Sequence, residues 1–431
     1  MSFRAADVHP NGKMHVDLRQ VIYALSDALD LVGVDDVAHG KRVGIMAAAI
    51  GHHLGWNRRQ CAFLFDLGML HDIGVSSTRT HEHLVAEFDW VSSQGHCDTG
   101  YLLLRDFPPL QAMAEPILYH HTRWDRLSRM PPVSQSGAEQ ANIIYLADRV
   151  DALAAPYYGE GVLMHAEEIR QKITAHAGSY FAPQFVEAFL AASSSEAFWL
   201  QLEPRGIQAA LQEMLERSLP SEAAIGDLKQ LALIFSRIVD AKSPFTAEHS
   251  LGVAQLARYL AERLGVSSFH CDKLEIAGLL HDLGKLRVPD EILDKPGKLD
   301  ARERKIMNAH SFETFQILRH IRGFEEITRW AAYHHEEPGG TGYPFHLNAE
   351  DLPIEARILR VADIFQAMVQ DRPYRAGMVA DELSVFFGKM LAAGRVEAEI
   401  VNLLTQDLAA AMAAAKPHPM NLEPADEMVN A

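Results

Sequence analysis

Apolar residues recur every three or four positions along most of the chain, which is the period of an amphipathic α-helix. Runs of alternating β-branched residues, which would indicate strands, are nearly absent. The pattern therefore predicts an all-α fold of long helices joined by polar loops. Helices are predicted at 18–31, 142–154, 183–192, 227–240, 252–264 and 379–392.

The chain also contains an internal repeat, because similar segments recur at a nearly constant offset. HDIG at 71–74 is matched by HDLG at 281–284, 210 positions later. A histidine pair at 120–121 is matched by another at 334–335, 214 positions later. Such an offset, with small loop insertions, predicts two tandem copies of one helical domain.

We place the domain boundaries from the repeat and from breaks in the helical pattern. Before the second copy, a helical pattern ends in a stretch containing Pro, Ser and Gly, and the end of the chain is polar and rich in Pro. The predicted order is a flexible N-terminus at 1–15, a first domain at 16–205, a linker at 206–224, a second domain at 225–415 and a flexible tail at 416–431.

The composition excludes several classes of protein. The formal net charge is −17, so no general basic surface for a nucleic acid polymer is expected. No run of about 18 apolar residues indicates a membrane span, and the start of the chain lacks the apolar segment of a signal peptide. Cys61, Cys97 and Cys271 have no paired spacing for zinc or disulfides, so structural thiols in a reducing cytoplasm are expected.

Ten of the 22 histidines recur in register, five in each copy, together with aspartates. Neutral imidazole and carboxylate suit first-row ions such as Fe, Mn, Co, Ni or Zn. Recurrence in both copies disfavours the alternative of scattered surface or packing histidines, which we keep for the other twelve, including His52, His53, His81 and His83. The candidate ligands are His249, His281, Asp282, His310, His334, His335 and Asp363 in the second copy, and His39, His71, Asp72, His96, His120, His121 and Asp148 in the first.

The motifs of the second copy resemble those of the HD-GYP phosphodiesterases, a branch of the HD-domain metallohydrolases. The resemblance rests on HDLGK at 281–285, YHHEEPGGTGYP at 333–344, VAD at 361–363 and DRPYR at 371–375, in that order. It implies an all-α domain that holds two or three metal ions and linearises cyclic di-GMP or a related cyclic dinucleotide.

The resemblance also implies roles for single residues. The seven candidates of the second copy correspond to the family's metal ligands, with Asp282 as the bridge between ions. Lys285 corresponds to the lysine that faces the scissile phosphate, and Tyr343 to the tyrosine of the substrate loop. Arg372 and Arg375 correspond to basic residues that bind the phosphates. The GYP loop is also a candidate contact for a protein partner.

Members of the family with a third ion carry a glutamate four residues before the first histidine. Here that position is Phe245, and Glu248 is expected to point elsewhere because it is adjacent to His249. Two divalent ions are therefore expected. Two such ions can share a hydroxide that attacks phosphorus, while Lys285 or a bound water provides the proton for the leaving 3′-oxygen.

The first copy keeps the candidate ligands but lacks the substrate residues. The lysine is replaced by Val75, the arginines by Tyr157 and Glu160, and the GYP segment by HHTRWDRLSRM at 120–130. The copy is therefore predicted to be a plain HD domain that keeps a candidate metal site. A structural or regulatory role, metal-dependent sensing, and hydrolysis of a different phosphorylated substrate all remain open.

The sequence thus favours a metal-dependent phosphodiesterase that converts a cyclic dinucleotide to a linear one. Cyclic di-GMP is the default substrate and 3′,3′-cyclic GMP-AMP the second choice, since chains with an HD and an HD-GYP domain also resemble hydrolases of the latter. The alternatives are a cyclic dinucleotide receptor with little turnover, or a nucleotide phosphohydrolase acting at the N-terminal site. Oligomeric state, metal identity and upstream signal are left open.

Overall fold

The all-α prediction is confirmed by the structure, a computed structural model. It describes residues 14, 16–32, 38–86, 88, 93–130, 133–159, 161–217, 223–242, 249–370 and 377–416. Among these residues the β-structure is limited to isolated bridges, such as that between Gly339 and Asn348. Within the same residues, no helix combines the length and the apolar character needed to cross a bilayer.

Two compact units make up the chain. The N-terminal unit takes its described residues from 29–219, and the C-terminal unit takes them from 1–28 and 220–421. This division differs from the predicted boundaries, because residues up to 28 group with the C-terminal unit. The backbone N–H of Ala223 donates to the carbonyl of Val16 at 3.0 Å, and that of Arg322 donates to the side chain of Gln20 at 3.4 Å.

Twelve α-helices lie between residues 18 and 217 in the described part of the chain. They are α1 Leu18–Asp30, α2 His39–His53, α3 Arg58–Leu70, α4 Thr78–Ala86, α5 Gln94–Leu104, α6 Gln111–Tyr119, α7 Trp124–Leu127, α8 Gln135–Ala154, α9 Ala166–Thr174, α10 Pro183–Ala192, α11 Glu196–Leu200 and α12 Pro204–Arg217. The predicted helices in this half are confirmed by α1, α8 and α10. Helix α12, most of which was predicted as linker, belongs to the N-terminal unit.

Glycines let α2 and α3 approach closely. A Cβ atom on Gly44 would lie 2.5 Å from the carbonyl oxygen of Phe65, and one on Gly68 would lie 2.5 Å from Cα of Gly44. Larger residues would push the helices apart, so the two helices meet at their backbones. Because the connection between them is short, this packing places the start of α2, at His39, beside the end of α3, at His71.

The described part of the C-terminal unit repeats this arrangement in eleven further helices. They are α13 Ile225–Ala241, α14 His249–Arg263, α15 Ser268–Leu280, α16 Asp290–Leu293, α17 Ala301–Asn308, α18 His310–Leu318, α19 Glu325–Ala332, α20 Ile354–Val369, α21 Ala380–Ala392, α22 Ala398–Gln406 and α23 Leu408–Ala414. A short 3₁₀ helix, Leu283–Arg287, follows α15. Helix α20 is central, since Leu359, Val361 and Phe365 are fully buried. The predicted helices in this half are confirmed by α13, α14 and α21.

Candidate metal centres

The seven candidate ligands of the C-terminal unit lie together at the ends of buried helices. His249 begins α14, and His281 directly follows α15. The histidine pair at 334–335 follows α19 in a turn, so its two side chains are not held at a helical angle and can face one cluster. Asp363 reaches the same place from α20. Helix ends of this kind allow adjacent residues to point into one centre.

Asp282 lies at the middle of this cluster, with its two carboxylate oxygens facing different histidines. Oδ1 lies 3.4 Å from Nε2 of His310 and 3.8 Å from Nε2 of His334. Oδ2 lies 3.2 Å from Nε2 of His281 and 4.0 Å from Nε2 of His249. One carboxylate therefore touches two sets of nitrogen donors, as a bridge between two ions would.

The remaining ligands complete a donor group on each side of Asp282. Nε2 of His249 lies 3.2 Å from Oδ1 of Asp363. The ring of His335 lies 5.0 Å from that of His310. Within each group the donor atoms lie within 4.8 Å of one another; the groups are His249, His281 and Asp363 on one side, and His310, His334 and His335 on the other.

Backbone hydrogen bonds set the tautomers of three of these histidines. Nδ1 of His281, His310 and His334 contacts the carbonyl oxygen three residues earlier, at 2.7, 2.6 and 2.6 Å. Because Nδ1 donates, Nε2 keeps its lone pair and faces the cluster. Nε2 of His281 and Oδ1 of Asp282 are buried and have no hydrogen-bond partner. Divalent ions would satisfy these atoms, so the residues present fit a metal centre.

The electrostatics favour the protonation states that metal ions need. Burial raises the pKa of Asp282, but the neighbouring charges of His281 and Lys285 outweigh it and hold the pKa well below its usual range. Burial lowers the pKa of His310 to about 4 and that of His334 to about 3. At neutral pH the carboxylate of Asp282 is therefore ionised and the imidazoles of His310 and His334 are neutral, while the charges of Asp282 and Asp363 raise the pKa of His281 against the effect of burial.

Lys285 lies at the bridging carboxylate. Its Nζ contacts Oδ2 of Asp282 at 2.5 Å from the 3₁₀ helix that follows α15. Burial lowers the pKa of this lysine, but the charges of Asp282 and Asp363 outweigh it and raise the pKa above its usual value. The centre thus holds a permanent ammonium beside the carboxylate that joins its two halves.

The segment that carries Tyr343 folds back onto the histidine pair. The ring centroid of Tyr343 lies 4.7 Å from that of His335, with the ring planes tilted by 31°. The buried carboxylate of Glu336 accepts the backbone N–H groups of 345–347 at 2.6, 3.2 and 2.9 Å. A Cβ atom on Gly342 would lie 2.4 Å from Cα of Glu336, so only glycine allows this close return.

Glu337 holds the same segment from its other side. Its carboxylate accepts from Nη2 of Arg360 at 2.6 Å, from Nε of Arg395 at 2.8 Å and from the hydroxyl of Thr341 at 2.5 Å. Sequence reasoning used both glutamates as parts of a motif and assigned them no role. Neither glutamate recurs in the first copy, where Thr122 and Arg123 follow the histidine pair, so the repeat gave no signal.

Some predictions concern residues outside the described part of the chain. These residues are Phe245, Glu248, Arg372, Arg375 and Glu160, together with most of the predicted terminal segments. The proposed roles of the two arginines and the absence of a third-ion ligand stay predictions.

The N-terminal unit contains a cluster of the same geometry. Oδ1 of Asp72 lies 3.4 Å from Nε2 of His96 and 3.8 Å from Nε2 of His120. Oδ2 lies 3.3 Å from Nε2 of His71 and 3.7 Å from Nε2 of His39. His121 lies in one donor group with Asp72, His96 and His120. On the other side, Oδ1 of Asp148 lies 3.6 Å from Nε2 of His39. Nε2 of His71 and Oδ1 of Asp72 are buried without a hydrogen-bond partner, so metal ions fit here as well.

The surroundings of this second cluster differ from those of the first. Val75, at the position of Lys285, is buried and places no ammonium at Asp72. His81, which we assigned to a surface or packing role, is buried with its ring 6.2 Å from that of His39. Cys97 is a buried free thiol, and its Sγ lies 3.6 Å from Nδ1 of His120. The sequence pattern did not predict that His81 and Cys97 lie beside this cluster.

Two helical units, each with histidines and aspartates gathered around one His-Asp pair, define a protein of tandem HD domains. Residues 37–153 and residues 234–384 each match the HD domain family. The chain belongs to the HD-GYP phosphodiesterase family, in its arrangement of two tandem HD domains.

Several known proteins are similar over most of the chain. The 3′3′-cGAMP-specific phosphodiesterase 1 of Vibrio cholerae is 35% identical over 407 residues, which cover 92% of this chain and 93% of that protein. The 3′3′-cGAMP-specific phosphodiesterase 3 of V. cholerae is 36% identical over 292 residues, which cover 67% of this chain and 62% of that protein. A crystal structure described as a cyclic GMP-AMP-specific phosphodiesterase of V. cholerae matches with a TM-score of 0.62 at 27% identity, covering 94% of this chain and 99% of that one.

A further relative is similar over a smaller share of the chain. The cyclic di-GMP phosphodiesterase response regulator of Xanthomonas campestris is 34% identical over 184 residues, which cover 42% of this chain and 46% of that protein.

Proposed function

We propose that the chain is a metal-dependent phosphodiesterase that opens a cyclic dinucleotide to a linear dinucleotide in its C-terminal unit. One observation carries this proposal. The carboxylate of Asp282 faces a donor group on each side, while the ammonium of Lys285 lies on the same carboxylate. Hydrolysis of a phosphodiester is accelerated by cations near the phosphoryl oxygens and by a proton for the leaving group. This centre combines sites for both.

The seven C-terminal ligands would hold two divalent ions, one in each donor group. Nitrogen and carboxylate donors of this kind suit Fe, Mn, Co, Ni or Zn. When bound, such ions supply an activated water and stabilise negative charge on phosphoryl oxygens. The two donor groups that Asp282 divides support a count of two ions.

The chain's own residues bind and orient the substrate. Lys285 provides a fixed cation for the phosphoryl group or for the leaving 3′-oxygen. Tyr343 borders the centre through its contact with His335, and the two glutamates of the motif hold the loop in that place. We assign Arg372 and Arg375 to the phosphates, because forked guanidinium donors match phosphate oxygens. A protein partner at the GYP loop stays a prediction.

The mixed dinucleotide 3′,3′-cyclic GMP-AMP is the substrate that the comparisons support best. The match to the 3′3′-cGAMP-specific phosphodiesterase 1 of V. cholerae covers 93% of that protein and spans both HD units of this chain. The cyclic di-GMP relative from X. campestris matches 42% of the chain. We therefore place the mixed dinucleotide before cyclic di-GMP, the reverse of the expectation from sequence. Three free cysteines agree with action in a reducing cytoplasm.

The test is a chromatographic assay of both dinucleotides with Mn- or Fe-loaded full-length protein. Asp282→Ala is the active-centre variant, and Asp72→Ala is the matched control in the other unit. The proposal expects linear dinucleotide from the wild type and from Asp72→Ala but not from Asp282→Ala, with the mixed dinucleotide turned over faster. Absence of turnover in a chain with confirmed metal loading would sink the proposal and favour a receptor. Product lost only in Asp72→Ala would move catalysis to the N-terminal centre.

A further inference from the structure

A buried carboxylate contacts His39, one of the N-terminal candidate ligands, from behind. Nδ1 of His39 lies 2.8 Å from Oδ2 of Asp151, which is buried. The opposite nitrogen, Nε2, faces Asp72 and Asp148 at 3.7 and 3.6 Å. Since Nδ1 donates to the carboxylate, Nε2 is the ring nitrogen that faces the cluster and is left for an ion. A metal-binding histidine typically has this arrangement, with a carboxylate on its other ring nitrogen.

Asp151 is itself fixed by three donors. Nε of Arg42 donates to Oδ1 at 2.6 Å and Nη2 donates to Oδ2 at 2.9 Å, while the hydroxyl of Tyr158 donates to Oδ1 at 2.7 Å. Arg42 lies one turn after His39 on α2, and its guanidinium also lies 4.3 Å from the ring of Tyr158. The carboxylate is therefore fully bonded and its position is set by the same helix that carries the ligand.

The C-terminal unit does not repeat this contact. By the offsets of the repeat, Gln366 corresponds to Asp151 and Gly252 to Arg42. A Cβ atom on Gly252 would lie 2.3 Å from Nε2 of Gln366, so the amide fills the space of the arginine. In the described residues, Nδ1 of His249 and Oε1 of Gln366 have no hydrogen-bond partner. The contact to His39 is therefore a feature of the N-terminal copy and not a general consequence of the fold.

Two further differences separate this centre from the proposed catalytic one. With Val75 in place of a lysine, no ammonium from that position competes with an ion for Asp72. Arg149 donates to Oδ2 of Asp148 at 2.8 Å, which leaves Oδ1 directed toward His39. The N-terminal copy thus lacks the substrate residues but keeps a centre in which Asp151 and Arg149 contact candidate ligands from outside the cluster.

We propose that Asp151 is the positioning residue for His39 in the candidate metal centre of the N-terminal HD domain. The inference concerns ion binding and does not require turnover at this centre. It selects among the open roles of the first copy those in which a bound ion stabilises or signals. Loss of an outer carboxylate of this kind typically weakens metal binding about 10- to 100-fold.

The experiment measures ion binding by the full-length chain after chelator treatment. Mn²⁺ uptake is followed by equilibrium dialysis and elemental analysis in the Asp282→Ala background, which leaves the N-terminal centre as the one under test. We expect that background to bind Mn²⁺, and the Asp72→Ala, Asp282→Ala double variant to lose this binding. Asp151→Asn in the Asp282→Ala background should weaken binding about 10- to 100-fold.

Asp30→Asn is the matched control, because Asp30 is also buried and accepts from Gly40 N–H and Lys41 without contacting an imidazole. Equal weakening by Asp30→Asn and Asp151→Asn would overturn the positioning role, since both would then act by loosening the domain. Tyr158→Phe removes one donor to Asp151 without leaving a charge unpaired, and a smaller weakening is expected there. Absence of Mn²⁺ in the Asp282→Ala chain would overturn the metal site. Because ions and not products are counted, failure here is distinct from failure of the proposed hydrolysis.

Discussion

The ring of Tyr343 lies against the ring of His335, with centroids 4.7 Å apart. The contact joins the loop that carries Tyr343 to the candidate metal centre, because His335 belongs to one of the two donor groups around Asp282. The loop reaches this place because Glu336, the next residue after His335, binds the backbone at 345–347. Loop position and ligand position are thus set by two consecutive residues.

Truncation of Tyr343 should therefore impair the substrate step more than metal binding. We expect Tyr343→Ala to lower kcat/KM for the preferred dinucleotide on the order of tenfold or more, equivalent to about 1.4 kcal/mol, with metal content unchanged. Tyr343→Phe keeps the ring contact and loses the hydroxyl, so the difference between the two variants separates these contributions. Steady-state kinetics and elemental analysis make the measurement. Loss of metal in Tyr343→Ala would instead mean that the ring holds His335 in place.

Removal of the ammonium at the bridge should slow chemistry without emptying the centre. Lys285→Met keeps much of the volume and removes the cation from Asp282. We expect kcat to fall about 10²- to 10⁴-fold, the usual range for a lost proton donor or acceptor, while metal content is retained. Lys273→Met is the control, because Lys273 forms an ion pair with Glu326 in the same unit. A normal kcat in Lys285→Met would remove this lysine from the mechanism.

The two glutamates of the loop should differ in what they affect. Glu336 binds three backbone N–H groups, so Glu336→Gln leaves part of that network unsatisfied and should destabilise the fold by about 1–3 kcal/mol. We expect KM to rise as the loop loses its place. Urea denaturation and kinetics of the same preparation test both effects.

Glu337→Gln is the comparison, since Glu337 binds the side chains of Arg360 and Arg395. Its loss leaves two guanidinium groups with a weaker partner and should lower stability with a smaller change in KM. A larger KM effect in Glu337→Gln than in Glu336→Gln would contradict the assignment of the loop position to Glu336.

The candidate metal ligands were found from sequence because they recur with the repeat, whereas Lys285 and Tyr343 were found from the motifs of the second copy alone. Candidate ligands repeat at offsets near 210 residues, and every C-terminal candidate lies in one cluster. Contacts that lack a partner in the repeat could not be found in this way. His39 and Asp151 are 112 residues apart and have no matching pair in the second copy. Glu336 binds backbone N–H groups, which every residue except proline carries, so no side-chain pattern marks this contact. The grouping of residues up to 28 with the C-terminal unit includes a contact between Gln20 and Arg322, which are 302 residues apart and show no pattern in the sequence.

Ion binding at the N-terminal centre should depend on pH through His39. Burial lowers the pKa of His39, but the hydrogen bond and charge of Asp151, together with the charges of Asp148 and Asp72, outweigh it and raise the pKa to about 9. Cys97 and Asp72 also raise the pKa of His120, another candidate ligand of this centre, against the effect of burial. The free centre therefore carries protons that an ion must displace, so Mn²⁺ binding should strengthen as pH rises from 6 toward 9.

The Asp151→Asn variant gives this prediction its sharpest form. Without the carboxylate of Asp151, burial is opposed only by Asp148 and Asp72 and the pKa of His39 falls, so the rise in affinity should shift to lower pH even as binding weakens overall. Dialysis with Mn²⁺ at pH 6, 7 and 8 in the Asp282→Ala background measures both curves. A variant that loses affinity by the same factor at every pH would show that Asp151 acts on the position of His39 alone. Identical curves for the two chains would show that Asp151 does not act through this imidazole.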